Sequence, residues 1–565
     1  MEIKKILVVL VCLSFAFSVS LPISAQDENT LNIQLDILEN EGLVEVVSIP
    51  YGGTAKEVGF IESGEEILAE GPTSFFVRNN KIYILDNVNK KILIKSGNNL
   101  DMIQLDELYW GTDLYVCKDG TMYVLDIGSD TVLSYDSKGN LIEKSSIPDV
   151  IEIPTGLDMD FNNNIIVRQS TDVAVSLNNG VKINKGRHLE NTLERIDVSI
   201  VNQKEGQIIL HGDKDKKIID IPFEHTFGEI IVRGVVGNQI VFEKTEVSDT
   251  HKIMVESFIQ VVNKKGELTG AARMPLEKMK FIPNHMVRVE NNKIYLLSPE
   301  SDSLKVYEVL VGKKYEKTLD KRVSEYHSSG EYQKDKKNEV VDIKDLDSNL
   351  KSSDLVENGH IYRSEVSSRA NQMINHKWKV NKGNKEIYGK TQLPKYIVDA
   401  KVGDEVTGIP YMWGGADGID TYTWDKSGGD KDWRGLFPNL QGNGRQAGNV
   451  SSANYSPRPT GIDCSGFVQI AWFRTDTKKL STWHIPEIST KIEKSSLKLM
   501  DALNKAGDHV VLYRTLSSET VYTKEATPAG KGSTQDYNRT WKSMDSYSAY
   551  KYSRILEDNQ QRPIK

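Results

Sequence analysis

Six times in the first half of this chain, a turn residue leads into a short run of strand formers that often ends on an acid. The motif reads Asn80-Lys81-Ile82-Tyr83-Ile84-Leu85-Asp86, then Gly120-Thr121-Met122-Tyr123-Val124-Leu125-Asp126, and later Asn292-Lys293-Ile294-Tyr295-Leu296-Leu297. Weaker copies centre on Ile166, Ile209 and Val241. From Tyr83 to Tyr295 the centres lie 40, 43, 43, 32 and 54 residues apart, about 42 on average. That period is one four-stranded blade of a β-propeller, so six copies predict six blades. The local grammar agrees: Gly128-Ser129-Asp130 turns the chain into Thr131 to Tyr135, and Asp136 to Asn140 turns it again. A pair of β-sandwiches, or another all-β array, is the rival reading.

Residues 45 to 315, on these motifs, resemble the six-bladed propellers of the NHL type. The chain has 565 residues, too many for one core, so further domains are expected. Hydrophobic residues make up 38% and charged residues 27%, a soluble and not a membrane-embedded balance. A net charge of -8 argues against a nucleic-acid partner, which needs a basic surface.

Residues 1–25 read as a secretory signal peptide: Lys4 and Lys5, an apolar run from Ile6 to Phe17, then Ala25 before Gln26. An uncleaved anchor is the alternative. Cys12 lacks the small preceding residue of a lipoprotein signal. No later segment approaches the ~20 apolar residues of a membrane span. The expected location is therefore secreted or in the cell envelope. Removing Cys12 leaves Cys117 and Cys464, which make no disulfide framework. Cys117 sits in an alternating strand-like stretch and reads as structural. The propeller is expected over 26–315, a charged and hydrated linker over 316–365, and a second domain over 366–565. The latter opens on a helical pattern in which Val366, Ala370, Met373 and Ile374 share a side.

Three segments carry the chemistry. They are Gly408-Ile409-Pro410-Tyr411-Met412-Trp413-Gly414-Gly415, the run from Gly461-Ile462-Asp463-Cys464-Ser465-Gly466-Phe467 to Trp472, and Leu499-Met500-Asp501-Ala502-Leu503 followed by His509-Val510-Val511-Leu512-Tyr513. Asp463 can cap a helix that starts near Cys464, with Phe467, Val468, Ala471 and Trp472 on one buried face. A cysteine at a helix N-terminus meets unpaired N–H groups and the positive dipole end, which favour the thiolate. His509, at the start of a buried strand, is the candidate base. His484 is the rival, read as a loop or substrate-side residue. A third group should orient the imidazole. Glu525 is preferred, with Tyr522 and Thr523 as rivals and Lys524 of the wrong sign.

Together these segments resemble the NlpC family of papain-like cysteine peptidases and amidases, which cut peptidoglycan stem peptides. The match covers residues 395 to 530. It implies an α+β papain-like hydrolase domain with Cys464 as nucleophile, His509 as base, and Tyr411 approaching the cleft beside Trp413. It further implies that Asp463 and Ser465 hold a substrate amino terminus. Three departures stand out. A stretch of 47 residues separates Gly415 from Asp463, Met500 stands where the family has Gly, and Glu525 replaces the usual His, Asn or Gln.

No metal or other cofactor is expected: residues 425–432 fail EF-hand spacing, and no zinc or phosphate-loop motif occurs. Trp424 and Trp433 could stack on a ligand or pack the loop down. The expected function is hydrolysis of an amide bond in peptidoglycan stem peptides by a Cys-His thiol mechanism. The alternative is a propeller-based extracellular binding protein, its ligand unspecified, carrying a degenerate hydrolase domain.

Overall fold

A computed structural model of the chain describes residues 31–562, apart from 32, 35–41, 65–67, 161, 171–172, 179, 181, 184–186, 189–194, 213–214, 339–358, 419–444, 452–458 and 473–478. The signal-peptide reading and the Trp424 to Trp433 loop therefore lie outside the described residues.

Six antiparallel sheets follow one another from Ser74 to Val309. Their strands fall in 74–104, 111–146, 156–183, 187–222, 226–273 and 287–309. The last sheet takes its fourth strand, Leu43–Pro50, from the opposite end of the domain, pairing it with Ser303–Val309. Contacts between first strands run from blade 6 through blades 1 and 2 to blade 3, and blade 5 packs on blades 4 and 6, so each sheet sits beside the next around the domain. This is a six-bladed propeller. Each of the six motif centres falls in a strand of a different blade, and five are second strands.

The sequence explains the motif locally. Asn79 and Asn80 have φ of 52° and 57°, and Asn291 and Asn292 have 49° and 59°. Two successive left-handed residues make a type I′ turn, whose twist matches the flanking strands. Arg78 accordingly pairs with Lys81, and Glu290 with Lys293. The acid closing the motif is structural. Asp126 is buried and accepts the backbone N–H of Tyr109, Trp110 and Gly128 at 2.8, 2.7 and 3.1 Å. Asp86 does the same for Gly59 and Asn89.

The segment expected to be a hydrated linker is instead partly helical. Helices span Leu319–His327 and Gly330–Asn338. Leu319 and Tyr326 pack on Met254, and Tyr326 donates to Asp335. The crowded charges that read as hydration are paired. Glu256 accepts from the N–H and hydroxyl of Thr318, Asp335 accepts from Lys491, and Arg322 donates to Asp545. Residues 339–358 of that segment are outside the described set.

The C-terminal unit is a six-stranded antiparallel sheet in the order Ser489–Ile492, Ser548–Tyr552, Ala502–Lys505, His509–Leu516, Val521–Ala526 and Thr534–Arg539. Helices Arg363–Ile374 and Cys464–Ala471 contact each other and pack on this sheet. Val366, Ala370, Met373 and Ile374 point into that core, as the helical pattern predicts. Side chains alternate across the sheet: Val510, Leu512 and Ala502 join the helices, while Val511, Leu503 and Ala549 join Val247, Ile253 and Val255 of blade 5. The propeller therefore covers the second face of the sheet. Burial on both faces explains the unbroken apolar run Val510-Val511-Leu512.

The contact between units is charged as well as apolar. Lys542 reaches from the C-terminal unit to Glu229 at 2.7 Å and Glu243 at 3.0 Å, all fully buried. Arg168 of blade 3 pairs with Glu519 at 2.9 Å. Backbone bonds add register: Ile230 N donates to Ser518 O, and Ile253 N to Tyr547 O.

Candidate functional site

The helix carrying Cys464 starts where the sequence predicts. Asp463 is its N-cap, in extended conformation, and accepts from Gly466 N at 2.7 Å. Ser465 donates to the same carboxylate at 3.0 Å. Lys479, which no motif marked, forms a buried ion pair with Asp463 and donates to Ser465 at 2.9 Å. Cys464, the first helical residue, thus faces the positive end of a capped helix. Asp463 and Ser465 are both engaged in fixing that helix start.

The tyrosine motif runs directly alongside. Met412 N donates to Ile462 O, Ile462 N to Pro410 O, and Asp463 N to Gly415 O. The approach is so close that a Cβ on Gly466 would stand 2.5 Å from Gly415 O, and one on Gly415 would stand 2.4 Å from Gly461 O. Glycine is required at both for steric reasons. Tyr411 is fully buried in the core that holds Cys464, and Trp413 packs half-buried against it.

The Cys464 helix packs on the strands that carry His509 and Glu525. His509 Nε2 lies 2.7 Å from Glu525 Oε2. Glu525 also accepts from Arg539 Nε at 3.0 Å and from Thr523 Oγ1 at 2.7 Å. Burial alone would push the Glu525 carboxyl up, but the Arg539 charge and the His509 hydrogen bond outweigh it and hold it at about 2. Glu525 is thus a carboxylate and can only accept, so Nε2 of His509 donates to it, with Arg539 Nη2 3.3 Å from the same nitrogen. The lone pair then sits on Nδ1, which is buried and has no hydrogen-bond partner.

Of the rivals, Thr523 supports Glu525, Lys524 pairs with Asp536, and His484 bonds Ser481 in a turn. Sequence reasoning missed Arg539, Lys479 and Tyr547, which carry no motif signal. Tyr547 is buried with an unpartnered hydroxyl. Its pKa is raised by burial, against Arg539, and further by the charges of Asp508, Glu525 and Cys464, which places it among these groups. Cys464 is 0% and His509 1% exposed. Among the described residues, no cluster of three or more His, Cys, Asp or Glu could hold a metal ion. No helix among them is long and apolar enough to cross a membrane.

Fold and site together define a six-bladed β-propeller joined to a smaller unit of sheet and helices. No family model and no curated protein matches this chain. Solved structures that match part of this chain include virginiamycin B lyase from Staphylococcus aureus, a catalytically inactive form with quinupristin, at 11% identity and a TM-score of 0.27, covering 45% of this chain and 99% of that one. A DUF4221 family member from Bacteroides vulgatus matches at 10% identity and a TM-score of 0.31, covering 50% of this chain and 98% of that one. Hsv2 from Kluyveromyces lactis matches at 13% identity and a TM-score of 0.28, covering 44% and 77% respectively. At those scores the propeller assignment rests on the strand order described above.

Proposed function

We propose that this chain is a secreted cysteine hydrolase that cuts an amide bond in peptidoglycan stem peptides, with a papain-like C-terminal unit. The observation that carries the proposal is the buried His509–Glu525 pair, with its open Nδ1, on strands packed under the helix that begins at Cys464. In this reading His509 Nδ1 takes the Cys464 thiol proton, and the thiolate attacks the amide carbonyl carbon. The tetrahedral adduct collapses as the leaving amine takes that proton from His509, giving a thioester. Water, deprotonated by His509, then releases the acid and restores the thiol. Glu525 holds the ring and balances its charge, and Arg539 holds Glu525. The ordered motifs around Tyr411, Cys464 and His509 support peptidoglycan as the substrate. Cys464→Ala should abolish release of fragments from purified peptidoglycan; full activity in that variant would sink the reading.

The complete burial of Cys464 favours a second reading, in which the propeller binds an extracellular ligand and the C-terminal unit is catalytically silent. Alkylation separates the two. A nucleophilic Cys464 reacts with iodoacetamide within minutes near neutral pH, whereas an inert buried thiol does not.

A further inference from the structure

A cavity of about 140 Å³, partly open to solvent, lies between the propeller and the C-terminal unit. Glu70, Trp110 and Phe281 line it from the propeller, and Glu519, Tyr537 and Arg539 from the other side. Arg539 also bonds Glu525, so one wall of the cavity is a single residue away from the His509 pair.

Each cation on these walls already has a carboxylate. Arg168 pairs with Asp158 at 2.6 Å and Glu519 at 2.9 Å, Arg233 pairs with Glu243, and Arg539 with Glu525. Among the described residues Glu70 makes no side-chain hydrogen bond or ion pair, and Glu519 Oε1 is buried with no partner. An anionic ligand would meet these carboxylates and no uncompensated arginine. A cation would find a counter-ion and two aromatic rings, one of which, Tyr537, already carries Arg539 over one face at 5.2 Å.

We propose that this cavity binds an ammonium group of a peptide, with Glu70 as its counter-ion and Trp110 and Tyr537 as its aromatic walls. Burial pushes the Glu70 carboxyl up to about 8, against the pull of Arg539. An unpaired carboxylate there is disfavoured, and an arriving ammonium removes that penalty. Both units supply walls, so the propeller is part of the binding surface. The choice of a stem peptide as ligand rests on the hydrolase reading; the preference for a cation does not.

The test uses the full-length Cys464→Ala chain and the tripeptide L-Ala-γ-D-Glu-L-Lys in titration calorimetry. The tripeptide should bind. Acetylating both of its amines, or making Glu70→Gln in the same chain, should each weaken binding about tenfold or more. Equal binding of the acetylated peptide, equal binding by the Glu70→Gln chain, or no binding of the tripeptide at millimolar concentration would overturn the proposal. If wild type leaves muropeptides uncut while the Cys464→Ala chain binds the tripeptide through Glu70, the hydrolase reading fails and the cavity stands. If wild type cuts muropeptides and Glu70→Gln changes neither binding nor KM, the cavity proposal fails alone.

Discussion

His509 Nε2 stands 2.7 Å from Glu525 Oε2, with both residues almost fully buried. The carboxylate fixes the tautomer, and the tautomer leaves Nδ1 as the proton acceptor. Glu525→Gln keeps the shape, yet it removes the charge that faces His509⁺ and leaves Arg539 buried without its partner. On the proposed hydrolase reading, kcat should fall at least about 100-fold, and stability should fall by about 3–5 kcal/mol. Steady-state kinetics and urea unfolding check the two effects separately.

Acid sensitivity follows from the same pair. The Glu525 carboxyl is held at about 2, below its ordinary 4.5. A depressed carboxyl contributes fully above about pH 4.5, and the contribution is lost as pH falls towards 2. The size is on the order of 3 kcal/mol. Glu243, held at about 2 by Arg233 and Lys542 against its own burial, adds to the same limb. Glu70 works oppositely, because its carboxyl is raised: its contribution is present below 4.5 and lost as pH rises to about 8. Melting temperatures across pH 3 to 9 should drop steeply below about pH 4.5, and less steeply in Glu525→Gln.

Lys542 joins the units through two buried carboxylates. Lys542→Met strands Glu229, leaves Glu243 with Arg233 alone, and should cost about 3–5 kcal/mol. Calorimetry should show one coupled transition for the wild-type chain and a split or broadened one for the variant. Superimposable traces would contradict a coupled interface.

The helix start is a sharper probe of Cys464 itself. Asp463→Ala removes the N-cap, worth about 1 kcal/mol, and leaves Lys479 without its carboxylate. Asp463→Asn keeps a capping oxygen but not the charge. Asn should therefore recover part of the thermal stability lost in Ala. Equal losses would mean that the Lys479 ion pair, and not the cap, holds the helix.

The repeat was legible because blade geometry forces one strand motif per turn of the ring. Its irregular spacings, 32 and 54 residues, fall around blade 5. There Ile209 lies in the third strand of its blade, and blade 5 sends Ser248 to Met254 and the segment after Arg273 towards the C-terminal unit. The placement of Cys464 at a capped helix start, and of His509 and Glu525 on apolar strands, was legible from local signals. Arg539, Lys479 and Lys542 were not, because a buried cation is marked only by a distant partner. The helices at 319–338 were hidden for a similar reason, since Arg322, Asp335 and Thr318 find their partners on other elements.

Mass spectrometry of muropeptides digested with the wild-type chain tests the central claim most directly. The account predicts products that have gained one water across a stem-peptide amide bond, and none from the Cys464→Ala chain. An unchanged muropeptide profile with wild type, or the same products from Cys464→Ala, would contradict it.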